Sequence, residues 1–289
     1  MKKIKLLAFI GTLVLALIAF ILFTPWGVHF YGEVLFSENE TREFQPGDHP
    51  VVITDTLTAV TKPLPAAVMQ PSGIDSDAAG ERFFIVTDQA EIIELDQDFE
   101  RVIPSVIMSQ APLLLRQGTI ESNDFYDSQL YVSGDLGEVE IWSKEEETWI
   151  QSGEVEIAGA GPTEIGSEGL AIHPGTREIY MGDDTGLHVL DKNGTYRKSL
   201  VLTGEAKPNR EASEYIIAGL DFHDGLLYVL TEFHSAILAV DIETGEIVEA
   251  FALDGFTEGF GLAVTDNAFY VVVDHEINEP SPGVKVIAR

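Results

Sequence analysis

From residue 71 onward, hydrophobic and polar positions fall into short runs bounded by turn residues, and no helical period of comparable length appears. The stretch from Pro71 to Asp96, PSGIDSDAAGERFFIVTDQAEIIELD, shows the unit. A Pro-Ser-Gly turn leads to an apolar run from Phe83 to Val86, then Thr87-Asp88, then a second apolar run closing at Asp96. The same order returns along the chain. An aromatic residue opens the second strand of each unit in FIVTD from Phe84, YVSGD from Tyr131, YMGDD from Tyr180, YVLTE from Tyr228 and YVVVD from Tyr270. In all five an acid follows the aromatic by four residues, at Asp88, Asp135, Asp184, Glu232 and Asp274.

The markers are spaced by 47, 49, 48 and 42 residues. Each is preceded by a related segment (SGID, ESND, EGLA, AGLD, EGFGLAV) and followed by a third strand. The first four units also carry a fourth strand, such as TYRKSLVL or EIVEAFAL, and Gly, Asn and Asp occupy the turns. Four short strands per unit at this period predict an all-β chain, a β-propeller built of four-stranded antiparallel sheets. Five blades are expected over residues 49–289, with six as the alternative. The fifth unit ends after its third strand, so HPVVITDTLTAV, from His49 to Val60, is expected to supply the missing outer strand and close the ring.

In a propeller the first strand lines the axis and begins on the face where the second strand ends. Two sets of residues are therefore expected at one mouth of the channel. The first is the first-strand starts Ser72, Glu121, Glu168, Ala218 and Glu258; the second is Asp88, Asp135, Asp184, Glu232 and Asp274. One register stays open, because aligning the fifth unit on Gly261 instead of Gly259 puts Phe260 in place of Glu258.

The N-terminus departs from this pattern. Lys2, Lys3 and Lys5 precede LLAFIGTLVLALIAFILF, residues 6–23, an uncharged run long enough to span a bilayer as a helix. It passes into TPWGVHF without a small-x-small cleavage site, which favours an uncleaved anchor over residues 1–26; a cleaved signal is the runner-up. Residues 27–48 read as a tether. Lysines held in the cytoplasm would place the rest beyond the plasma (inner) membrane, in the periplasm or outside the cell. The chain has no cysteine, which excludes thiol chemistry, thiolate metal sites and disulfides. Setting Lys2, Lys3 and Lys5 apart from the 17 bases leaves 14 against 48 acids, a formal charge of −34. That balance disfavours nucleic acid and suits cations, a small cationic ligand or a basic envelope protein, and it also serves solubility alone.

Carboxylates and backbone carbonyls around a narrow channel are hard oxygen ligands, suited to Ca²⁺ or Mg²⁺ rather than to zinc or copper. Glu121, Glu168, Asp184 and Glu258 are the candidate metal ligands, with Asp88, Asp135, Glu232 and Asp274 around the same mouth. Each acid at a second-strand exit can equally cap a tight turn. His173 and His223 fall in turns on the opposite face, whereas His234 and His275 follow mouth acids in sequence. Serine nucleophile motifs, phosphate-cradling glycine loops and HExxH are absent, and no organic cofactor is expected. The glycine-rich loop GAGPTEIGSEG, Gly159 to Gly169, precedes a first strand without a following helix, so it reads as a loop on the acidic face. Trp142 and Trp149 read as packing on the second sheet. A binding or interaction module is the leading reading. The alternative is a calcium-dependent hydrolase like the propeller lactonases or phosphoesterases, using Glu121, Glu168 and Asp184.

The anchor, PSGI with FFIVTDQAEIIELD, TIES, EGLAIHP, AGLDFHDGLLYVLTEFHSAILAVD and EGFGLAV with FYVVVD together resemble the SdiA-regulated (YjiK-like) family of bacterial envelope proteins. The resemblance covers most of residues 65–289. It implies a β-propeller anchored in or exported across the inner membrane, and a cation at first-strand acids matching Glu121, Glu168 and Glu258. It carries no activity that maps onto individual residues. Ser72 and Ala218 depart from a full acidic ring and leave a site with fewer charges.

Overall fold

A computed structural model describes residues 49–289 apart from 66–67, 102–105, 108–119, 135–137, 147, 160–166, 184–185, 233, 255–258 and 274–281, and apart from the side chains of Val106, Ile107, Glu121 and Asp183. The expected anchor at 1–26 and tether at 27–48 lie outside the described residues. Among the described residues no helix is long and apolar enough to cross a membrane.

The chain is all-β. After β1 (Asp55–Pro63) come β2 (Pro71–Ser76), β3 (Arg82–Thr87), β4 (Glu91–Asp96) and β5 (Val106–Ile107), which form one four-stranded sheet in that order. A second sheet holds β6 (Ile120–Tyr126), β7 (Gln129–Gly134), β8 (Glu138–Glu145) and β9 (Thr148–Glu156). The third holds β10 (Gly169–Ile172), β11 (Ile179–Asp183), β12 (Gly186–Leu190) and β13 (Tyr196–Leu200). A fourth unit, β14 (Ile217–His223), β15 (Leu226–Thr231), β16 (Ala236–Asp241) and β17 (Glu246–Asp254), joins β18 (Gly261–Val264), β19 (Ala268–Val273) and β20 (Gly283–Ala288) through β1 in one eight-stranded sheet.

β1 is the seam. Its first half runs parallel to β17, with Asp55 opposite Phe251, and its second half runs antiparallel to β20, with Ala59 opposite Ile287. It therefore completes the last unit as a fourth strand while tying it to the one before. The segment expected to close the ring began at His49. In the structure the strand starts at Asp55, and the residues before it run over the third and fourth units, where the Val52 amide donates to Glu205 O and the Thr54 amide to Ala250 O.

The core is divided into wedges between neighbouring sheets, which explains why the strands read as continuous apolar runs. Adjacent residues face opposite neighbours. Phe83 packs toward the last unit with Ala263 and Val272, whereas Phe84 packs toward the second with Leu130 and Val132. The other three wedges lie between units two and three around Tyr131 and Met181, three and four around Tyr180 and Leu227, and four and five around Tyr228 and Phe269. Trp149 is buried edge-on to Phe84 at 5.6 Å, and the indole N–H of Trp142 donates to Glu140 at 3.0 Å, so both tryptophans pack on the second sheet. The acids that close third strands are caps: Asp96, Asp191 and Asp241 each accept two backbone amides of the following turn at 2.9–3.1 Å.

First strands adjoin in the order β2, β6, β10, β14, β18 and back to β2. They approach closely enough to exclude side chains. A Cβ on Gly261 would lie 2.7 Å from the Ile74 nitrogen and 2.8 Å from Gly73 Cα, and one on Gly219 would lie 2.9 Å from the Leu262 nitrogen. Gly261→Ala should therefore destabilise the fold by about 1–3 kcal/mol, read as a lower urea midpoint at unchanged slope. An unchanged midpoint would contradict this packing.

Candidate cation site at the channel mouth

The residue before the ring glycine occupies the same place in each unit, at the start of the first strand and at one end of the axis. Ser72, Glu168, Ala218 and Phe260 hold that place in the first, third, fourth and fifth units. They line a cavity of about 190 Å³ together with Glu232. Pairing of Gly261 with Val272 settles the open register in favour of Phe260, so Glu258 is not the first-strand start; it lies outside the described residues.

Second-strand exits reach the same end. The Asp88 amide donates to Gln70 O at 3.0 Å and the Glu232 amide to Ile216 O at 3.1 Å, the same bond in the first and fourth units. That bond fixes each acid beside the entry of its own first strand. Glu232 reaches the cavity, and Asp88 stands on the same rim outside the lining. Asp135, Asp184, Asp274 and the side chain of Glu121 lie outside the described residues. The structure thus brings Glu168 and Glu232, from neighbouring units, to one cavity with Ser72, Ala218 and Phe260. His234, two residues after Glu232, is buried with its ring 4.9 Å from that of Tyr215.

Deeper along the axis lie three carboxylates absent from the expected site. Asp75, Asp124 and Asp221 sit two positions past Gly73, Ser122 and Gly219 in β2, β6 and β14, and all are buried. Each accepts a backbone amide of the next unit: Asp75 from Phe125, Asp124 from Ile172 at 2.9 Å and Asp221 from Val264 at 2.5 Å. In the third and fifth units Ala171 and Ala263 take the place. A signal existed in the sequence, since SGID, ESND and AGLD share an acid at one offset within an otherwise buried strand.

Burial raises the pKa of all three, since desolvation disfavours the charged form. The Asp124 carboxyl is pushed up to about 7. Asp75 is raised well above its ordinary value by burial and then by the charges of Asp221 and Asp124, and Asp221 by burial and then by Asp124. Among the described residues these three do not gather within 4.8 Å as a set, so one ion cannot bond all of them directly. Their raised pKa values and amide hydrogen bonds place three carboxyl groups below the mouth that are costly to ionise.

The repeating four-stranded sheets arranged about an axis define a β-propeller. No family model and no curated protein matches the sequence. Among solved structures, glutaminyl cyclase from Myxococcus xanthus is 16% identical, with a TM-score of 0.57 over 83% of this chain and 97% of that one. Regucalcin from Agrobacterium tumefaciens, described as a calcium-binding protein, is 10% identical, with a TM-score of 0.47 over 82% and 95%. The PQQ-bound aldose sugar dehydrogenase of Streptomyces coelicolor is 10% identical, with a TM-score of 0.48 over 80% and 98%. Likeness at these identities shows the fold alone.

The raised acids give a pH dependence. Between about pH 4 and 7 the native state keeps protons that the unfolded chain has released, so this contribution to stability is present at low pH and is lost as pH rises through 7. Asp124→Asn keeps an acceptor for the Ile172 amide and removes the titration. The variant should gain on wild type by on the order of 2–4 kcal/mol between pH 4.5 and 8, measured by urea denaturation at each pH. A difference independent of pH would refute the assignment.

Proposed function

We propose that the protein is a five-bladed β-propeller acting as a binding module, whose channel mouth holds a divalent cation, Ca²⁺, through Glu168 and Glu232. The observation that carries this reading is their convergence, from different blades, on one cavity at the axis. Carboxylate oxygens suit a hard cation, and about 190 Å³ admits the ion with several of its waters. The buried acids below add to the attraction only where they ionise, and they are not ligands themselves. Ser72 Oγ donates to Val86 O at 3.5 Å, within its own sheet, which favours binding over hydrolysis. The resemblance to the SdiA-regulated (YjiK-like) family and the apolar run at residues 6–23 support placing the propeller outside the inner membrane, tethered by that run. A chain there with so many acids would meet basic segments of envelope proteins and small cations rather than nucleic acid.

Thermal unfolding of the full-length chain at fixed ionic strength tests the cation. At a calcium concentration 100 times Kd the midpoint should rise by several degrees, equivalent to about 2.7 kcal/mol. Chelator should reverse the rise, and Glu168→Gln should abolish it. An equal rise in Glu168→Gln, or none in wild type, would overturn the proposal.

A further inference from the structure

At the end of the ring opposite the mouth, the hairpins joining first to second strands of neighbouring units stand side by side. Between units two and three, the turn acid Asp127 meets an arginine, with Arg177 Nη2 2.5 Å from its carboxylate. Between units four and five, the turn acid Asp224 instead meets a second turn acid, Asp266. His223 stands between them, its Nε2 3.5 Å from Asp224 Oδ2 and 3.2 Å from Asp266 Oδ1. The three ligand atoms lie within 4.8 Å of one another, and among the described residues no other set of three or more His, Asp or Glu side chains gathers so closely.

Local geometry fixes this arrangement. Asp224 and Gly225 have φ of 50° and 80°, the two-residue hairpin turn that Asp-Gly favours, and His223 pairs with Leu226 at its base. Asp266 lies in the turn between β18 and β19, held by the Thr265 amide donating to Ala268 O at 3.0 Å. The repeat also supplies a contrast. His173 stands at the corresponding place in the third unit, and its Nδ1 accepts the amides of Gly175 and Thr176 at 3.1 and 3.0 Å, so that imidazole is consumed by its own turn. The Nε2 of His223 is shielded from solvent and makes no hydrogen bond of ordinary geometry, although two carboxylate oxygens flank it. Arg289 brings the nearest positive charge, with Nη1 3.9 Å from Asp224 Oδ2, while its guanidinium lies over the Tyr228 ring at 5.0 Å.

We propose that His223, Asp224 and Asp266 form a second metal site, distinct from the mouth, that takes a first-row divalent transition ion of the zinc class. Bonds of about 2.0–2.2 Å at tetrahedral angles separate ligand atoms by about 3.3–3.6 Å, close to the spacing from Nε2 to either oxygen. One imidazole nitrogen with two carboxylates selects zinc over calcium, whose ligands are oxygen. Water fills the fourth position, because both acids are largely exposed. The ion supplies the positive charge that Arg177 supplies at the other junction and ties the last two units together.

Isothermal titration of the full-length chain with zinc chloride tests this, with Co²⁺ absorption reporting tetrahedral nitrogen–oxygen coordination. Wild type should bind one equivalent at the site. Asp266→Asn and His223→Gln should each weaken that binding by more than about a hundredfold, beyond what losing a supporting partner alone commonly costs. Asp266 has 85% of its side chain exposed, so its variant keeps the fold and decides the question even where His223→Gln does not. Glu168→Gln should leave zinc binding intact, which separates this site from the mouth. Zinc affinity unchanged in Asp266→Asn, as adventitious binding by exposed acids would give, overturns the proposal, and so does the absence of zinc binding in wild type.

Discussion

The close approach of first strands around the axis is the constraint on which the rest of the molecule depends. Where Gly219, Gly261 and Gly73 meet, backbone touches backbone with no room for a Cβ, so the sheets must stand like wedges whose apolar faces fill the widening gaps between them. Each interior strand is then covered on both sides. Fully buried residues such as Ile85, Leu95, Leu227 and Val271 follow from that geometry, and they replace the disulfides that a chain without cysteine cannot form. β1 makes the closure physical by pairing with β17 and β20 across the seam.

The same constraint concentrates charge. Asp75, Asp124 and Asp221 accept amides across the junctions where the strands are closest, so the interactions that stitch neighbouring units also place carboxyl groups in a region with little water. Such groups are costly to ionise, and their backbone hydrogen bonds only partly offset desolvation. A cation at the mouth would favour the ionised form of the acids below it, which connects stability, ligand and pH through one electrostatic column. At the opposite face the repeat places acids in hairpin turns, and the neighbour's residue decides whether the partner is Arg177 or an ion.

Much of the fold was legible because a propeller repeats its hydrogen-bonding unit. The aromatic markers fall in the second strand of each unit, β3, β7, β11, β15 and β19, and the missing outer strand of the last unit pointed to an N-terminal one. The starting residue of that strand was harder, since the segment from His49 to Thr54 is held by the third and fourth units before pairing begins at Asp55. Phe260 against Glu258 turned on register, which two nearby glycines leave ambiguous and strand pairing resolves. The buried aspartates were visible as letters but not as a site, because a recurring acid in a strand reads as a turn residue until the neighbouring amide is seen. The cluster at His223 was less legible still: it joins Asp224 and Asp266 from two hairpins of different units, and only their apposition gives it meaning.

The central claim is that the acidic mouth is an ion site rather than a rim of solvating carboxylates. Anomalous diffraction from crystals of the protein soaked in Tb³⁺, an oxygen-seeking stand-in for Ca²⁺, tests this most directly. The account predicts a peak on the propeller axis within bonding distance of Glu168 and Glu232, at about 2.3–2.6 Å. An axis without a peak, with ions found only among acids of the outer strands, would contradict it.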